Sequence, residues 1–175
     1  MKQLKFVQLV KNDAELLKKA ESVWIPFIKE VNANDGIMRD DAEIAIGLQK
    51  RISIQGLRSD MHFEIALLDN IVIGISMFAI DLGTVYGLLD HPGYGTVMGF
   101  YIKPECRRKG YGRQMYEHIQ KTLAKDGARK IYVCPDAVTG VPFWSAMGFS
   151  ESGKYDPDEK SQYTLKRCSA GSLQV

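Results

Sequence analysis

Residues 98–113 constrain this chain more than any other stretch. Met98-Gly-Phe-Tyr-Ile102 is short and apolar, and Lys103-Pro104 ends it. Glu-Cys-Arg107-Arg108-Lys109-Gly110-Tyr111-Gly112-Arg113 then leads into an amphipathic pattern. That order predicts a strand, a cationic glycine turn and a helix that begins at once. The first N–H groups of a helix lack an internal partner, and the helix dipole adds partial positive charge at the same end. Gly110 and Gly112 admit an anion to the main chain with no Cβ in the way. Lys103, Arg107, Arg108, Lys109 and Arg113 supply counter-charge around that point. Three adjacent cations more commonly form a solvated turn. The glycine spacing and the helix that follows favour a seat for a cofactor diphosphate instead.

The flanking segments predict the elements around this run. Residues 4–10 alternate loosely and read as a first strand. Asn12 with Glu15 three positions on resembles a capping box, and apolar residues from Leu16 to Val31 then recur at helical spacing. Pro26 should kink or break that helix. A second helix starts near Asp40, carries Ile44, Leu48 and Ile52, and ends near Gly56. Two strands, 62–68 and 71–80, flank Asp69-Asn70, which has the residue types of a two-residue hairpin turn. Residues 81–95 read as a long glycine-rich loop, a length often reserved for function. After the strand over 96–102 and the helix that follows the glycine turn, residues 130–134 form a strand. Residues 139–147 form a short helix ending at Gly148, and a terminal hairpin closes the chain. Residues 169–175 are expected to fray.

At 175 residues the chain can bury a proper core as one domain spanning 1–175, with no repeat or linker. No stretch reaches the ~20 apolar residues of a membrane span, and Met1-Lys-Gln-Leu carries no signal-peptide pattern. A net charge of +2 gives no reason to expect nucleic acid or a membrane as partner. Cys106, Cys134 and Cys168 match neither a disulfide framework nor a zinc pattern, which fits a reducing cytoplasm. The three histidines show no ligand spacing, so no metal site is expected. A dinucleotide fingerprint fails because Met115 stands at its third glycine. A P-loop is excluded because no G-x-x-x-x-G-K-[ST] occurs in the chain.

The element order, together with Arg107-Arg-Lys-Gly110-Tyr-Gly112, resembles the GNAT superfamily of acyl-CoA-dependent N-acyltransferases, whose cofactor motif is Q/R-x-x-G-x-G/A. Ile102-Lys-Pro104-Glu105 before it and Phe143-Trp-Ser-Ala-Met-Gly148-Phe149 after it are similar to the family's flanking signatures. The resemblance implies an α/β (α+β) fold: a mixed, mostly antiparallel central sheet of six to seven strands flanked by about four helices. That sheet is splayed between its fourth and fifth strands, and acetyl-CoA inserts there as acyl donor. The backbone of Phe100, Tyr101 and Ile102 would bond the pantetheine amides like an added strand. The segment Arg107, Arg108, Lys109, Gly110, Tyr111, Gly112 and Arg113 would hold the pyrophosphate, with Phe143 and Trp144 in the core or lining the acyl pocket. The implied activity is transfer of acetyl to a primary amine of a small molecule or protein, directly in a ternary complex.

The catalytic groups do not carry over. Trp144 stands where the family often has a tyrosine acid, and an indole N–H is no practical proton source at neutral pH. Ala137 replaces an asparagine that often follows the fifth strand. Asp136, past that strand, is a candidate base; His91 and Tyr94, on the long loop, are candidates by their place in the sequence. Pre-positioning of two substrates supplies much of the acceleration in such a transfer. A different class of function, an acetyl-CoA-binding sensor without turnover, is the alternative that Trp144 suggests. The acceptor and the oligomeric state are open; a monomer and a homodimer both fit.

Overall fold

The elements run β1 (Lys5–Gln8), α1 (Ala14–Asn34), α2 (Asp41–Gln55), β2 (Met61–Leu68), β3 (Ile71–Asp81) and β4 (Tyr94–Ile102). A 3-10 turn (Pro104–Cys106) follows, then α3 (Tyr111–Lys125), β5 (Lys130–Val133), α4 (Gly140–Ala146), β6 (Ser150–Tyr155) and β7 (Gln162–Arg167). This computed structural model describes residues 2–34, 36–55, 57–81, 93–136, 138–155 and 162–167. The fold is mixed α/β. Its chain contacts divide into two units, Met1–Met77 with Gly99–Tyr116, and Phe78–Met98 with Glu117–Val175. None of the described helices is long and apolar enough to cross a membrane.

In the first unit the strand order is β1-β2-β3-β4. β1 pairs antiparallel with β2 from Lys5↔Leu67 to Gln8↔Glu64. Asp69 and Asn70 adopt φ of 50° and 67°, which is the backbone of a type I′ hairpin turn. α1 buries Ala20, Val23 and Trp24. The Trp24 ring lies edge-on to Phe63 at 5.5 Å, and its Nε1 donates to the Ile44 carbonyl at 3.0 Å. One side chain thus ties α1 to both α2 and β2. Ile44, Leu48 and Ile52 are buried at their four-residue steps, each worth about 1.5–3 kcal/mol of burial.

Two local expectations change. The Asp13 carboxylate, not Asn12, caps α1 by accepting from the Leu16 N–H at 2.9 Å. The helix also runs through Pro26 without a break. Pro26 sits on the exposed side, where water can satisfy the one carbonyl its missing N–H leaves over, while Val23 and Trp24 anchor the turn before it. Asp40 caps α2, its Oδ1 accepting from the Glu43 N–H at 2.8 Å.

In the second unit the order is β3-β4-β5-β7-β6. β5 runs parallel to β4 through Gly95↔Ile131, Thr96↔Tyr132 and Val97↔Val133. It is antiparallel to β7 on its other side, and β7 is antiparallel to β6. β4 continues to Ile102 beyond the last of these pairs. Ile119 and Leu123 of α3 are fully buried. A Cβ at Gly95 would lie 2.8 Å from Leu123 Cδ1 and 3.3 Å from Ala128 Cβ, so glycine is what lets the helix end approach the strand.

Candidate cofactor and active site

The cationic glycine turn belongs to the first unit and is built as its residues predict. Pro104 opens the 3-10 turn, and the Cys106 and Arg107 N–H groups donate back to the carbonyls of Lys103 (2.8 Å) and Pro104 (3.1 Å). Arg108 and Gly110 then take positive φ, 61° and 82°, which swings the chain from strand end to helix start. Gly110 is the last residue before α3, and its carbonyl accepts from the Gln114 N–H at 3.1 Å. The N–H groups of Tyr111, Gly112 and Arg113 lie in the first turn, where no intrahelical acceptor exists. None of them donates to another described residue, and no acidic side chain occupies that turn. Three main-chain donors and the positive end of a fifteen-residue helix therefore face one place without an acceptor.

The cations of the turn divide by role. Arg108 and Arg113 are exposed and form no ion pair among the described residues. Lys109 is exposed, its Nζ donating to the Glu105 carbonyl at 2.8 Å. Arg107 is committed inward. Its Nε donates to the Ile102 carbonyl at 2.8 Å. Its Nη2 donates to both Glu30 oxygens of α1, at 2.8 and 2.7 Å. Its guanidinium lies 5.3 Å from the Tyr101 ring. Tyr101 and Ile102 are buried, and the Tyr101 ring sits 5.3 Å from Phe27, so what these two offer a ligand is main chain. Burial, and then the Glu30 charge, push the Tyr101 hydroxyl above its ordinary value. Glu30 escapes a reading of the sequence because it lies 77 positions from Arg107 and carries no local motif.

The second unit holds the groups considered for acid–base work. Asp136 lies three residues ahead of Thr139, the N-cap of α4, and its carboxylate holds the turn that leads into the helix. Its Oδ1 accepts from the Val138 N–H at 2.9 Å. Its Oδ2 accepts from the Thr139 N–H (2.9 Å), the Thr139 hydroxyl (2.5 Å) and the Gly140 N–H (2.8 Å). Partial burial pushes this carboxyl up. The hydrogen bonds from Thr139, Val138 and Gly140 outweigh that and hold it below its ordinary value. A carboxylate so occupied is a weaker proton acceptor than a free one. Tyr94, at the start of β4, lies edge-on to Tyr132 at 5.2 Å, with the Lys130 ammonium 5.6 Å from its ring. Tyr132 has its hydroxyl pushed up by burial and then by Tyr94. His91 lies outside the described residues.

Trp144 is 4% exposed and meets Phe149 at 5.0 Å and Phe143 at 5.1 Å, both edge-on. Gly148, at φ 87°, closes the end of α4 and lets the Phe149 N–H return to the Trp144 carbonyl at 3.0 Å. Cys134 is half-buried and packs on Tyr132, as a small apolar residue would. Two buried carboxylates did not stand out in the sequence: Glu64 within β2, and Asp81, which ends β3 where a loop had been expected to begin. Among the described residues no group of His, Cys, Asp or Glu is arranged to hold a metal ion.

A model of the acetyltransferase (GNAT) family matches residues 35–149. Solved structures share the fold at low identity. PaiA N-acetyltransferase of Thermoplasma acidophilum, crystallised with coenzyme A, superposes with a TM-score of 0.69 at 19% identity, over 94% of this chain and 99% of that one. Aminoglycoside acetyltransferase AAC(6')-Ib, also with coenzyme A, gives 0.70 at 17% identity over 94% and 95%. The Bacillus subtilis N-acetyltransferase YlbP, again with coenzyme A, gives 0.59 at 14% identity over 94% and 97%. A search of curated protein sequences found no significant match.

Proposed function

This chain belongs to the acetyltransferase (GNAT) family, and from that premise we propose that it moves an acetyl group from acetyl-CoA to a primary amine of a small molecule or protein, directly in a ternary complex. The observation that carries the proposal is the set of acceptor-free amides at Tyr111, Gly112 and Arg113, reached through the left-handed turn at Arg108 and Gly110. They suit the diphosphate of coenzyme A, with Arg108, Lys109 and Arg113 adding charge. The main chain of Phe100, Tyr101 and Ile102, on the part of β4 beyond its last pair with β5, takes the pantetheine amides as a further strand would. The neighbours crystallised with coenzyme A support the same ligand class.

In the reaction a neutral amine nitrogen attacks the thioester carbonyl carbon. The C–S bond breaks, coenzyme A leaves as thiolate, and the amine gives up a proton. Geometry does most of this work, since holding the two reactants together replaces a bimolecular encounter. Asp136 serves this reading better as the cap that fixes α4 than as the base. Tyr94 and His91 are the remaining candidates for proton handling. Trp144, buried where the family often has a tyrosine acid, favours a second reading: an acetyl-CoA sensor without turnover.

Titration of the protein with acetyl-CoA, followed by thiol release on a panel of amines, separates these. Binding with turnover on at least one amine is the expected result. Binding with no turnover on any amine favours the sensor, and absence of binding overturns both.

A further inference from the structure

Arg107 meets the first position of the cofactor motif, yet its Nε and Nη2 are engaged away from the acceptor-free amides. It clasps the Ile102 carbonyl at the end of β4, both carboxylate oxygens of Glu30 in α1, and the face of Tyr101. Its own N–H is also used, donating to the Pro104 carbonyl. Arg107 is therefore fixed at three points just ahead of Arg108 and Gly110, the two residues whose positive φ aims the α3 amides. Nη2 spans both carboxylate oxygens while Nε holds the strand end, and a planar guanidinium gripped at two of its nitrogens has little orientational freedom. Both partners are about one-third exposed, at 34% and 32%, so solvent screens the pair only in part.

We propose that Glu30 is a positioning residue for coenzyme A: by holding Arg107, it sets the glycine turn in the geometry that receives the diphosphate, while making no contact with the cofactor itself. Arg107 then contributes loop geometry and not phosphate charge, and the electrostatic attraction comes from Arg108, Lys109 and Arg113. The inference rests on the functional reading above. It adds a residue from α1, far from the motif in sequence, to the determinants of cofactor affinity.

The sign of one measurement decides it. If Arg107 were a phosphate ligand held in reserve, removing Glu30 would free it and tighten binding. If Glu30 positions the turn, removing it loosens the turn and weakens binding. Calorimetric titration with coenzyme A should show Glu30→Ala binding roughly three- to tenfold more weakly than the native protein. Glu30→Gln, which keeps one acceptor oxygen, should fall between. The melting temperature should change little, and the slope of affinity against salt concentration should be native, because no phosphate contact is lost. A merely structural role would instead lower the melting temperature with affinity unchanged. Native or tighter affinity in Glu30→Ala overturns the inference while leaving coenzyme A binding intact. No binding by the native protein overturns both.

Discussion

Replacing Asp136 by asparagine separates a base from a cap, because the two roles predict opposite losses. The carboxylate accepts four hydrogen bonds, from Val138 and Thr139 in the turn before α4 and from Gly140 at its start. Asparagine keeps one oxygen but turns an NH2 toward donors that had faced the other. Losing a capping acceptor costs about 0.5–2 kcal/mol. The carboxylate remains partly solvated, so a value near the middle, about 1 kcal/mol, is expected. In a 175-residue chain that lowers the melting temperature by about 2–4 °C. The pH dependence follows from the direction of the shift. The folded carboxyl lies below its ordinary value of 3.8, so its contribution is complete above that pH. It is lost as the pH falls through the lowered folded value. Denaturant unfolding of both proteins across that range should show a constant gap at neutral pH that closes in acid, where a protonated Asp136 resembles asparagine. Turnover of the asparagine variant should stay within a few-fold of native. A loss of about a hundredfold or more with unchanged stability would refute the cap and restore Asp136 as the base.

Gly74→Ala and Gly99→Ala, on adjacent strands, should diverge. At Gly74 a Cβ would lie 2.7 Å from the Tyr101 carbonyl oxygen, which is backbone and cannot yield cheaply, and 2.7 Å from Ile102 Cδ1, so a loss of about 1–3 kcal/mol is expected in denaturant unfolding. At Gly99 the nearest atoms are 3.5 Å away, and alanine should be neutral or stabilising by up to about 1 kcal/mol. Arg108→Gly relieves a left-handed arginine at φ 61° while removing a cation. Calorimetry and thermal unfolding should find coenzyme A bound several-fold more weakly with the melting temperature level or raised. Gly110→Trp puts a bulky side chain, at some strain, on the left-handed residue before the acceptor-free amides (φ 82°) and should abolish acetyl-CoA binding in a variant that circular dichroism shows to be folded; native affinity there would remove the diphosphate assignment.

What could be read from the chain alone was whatever its neighbours in sequence decide. The hairpin at Asp69-Asn70, the stops at Pro104 and Gly148, and the glycine turn into α3 each depend on a handful of consecutive residues, and all stand in the structure. Asp136 stands between: the residues that hold its carboxylate are local, although it lies three positions ahead of the predicted helix start and not at the cap position beside it. Its four donors all lie within the next four positions.

The insertion of β7 between β5 and β6 had no local signal, because strand order is set by pairing across the fold. The cationic run divides along the same line. Sequence by itself determined that Arg107 to Arg113 would turn a strand into a helix with its amides bare, since capping, glycine φ and the helix dipole act over one or two turns of chain. Only the tertiary structure decided which of those cations faces solvent and which is withdrawn into the fold. Arg107 looks like its neighbours until Glu30, from a helix 77 positions earlier, arrives beside it. Charge attracts through space, and the sequence does not show which charges will be near.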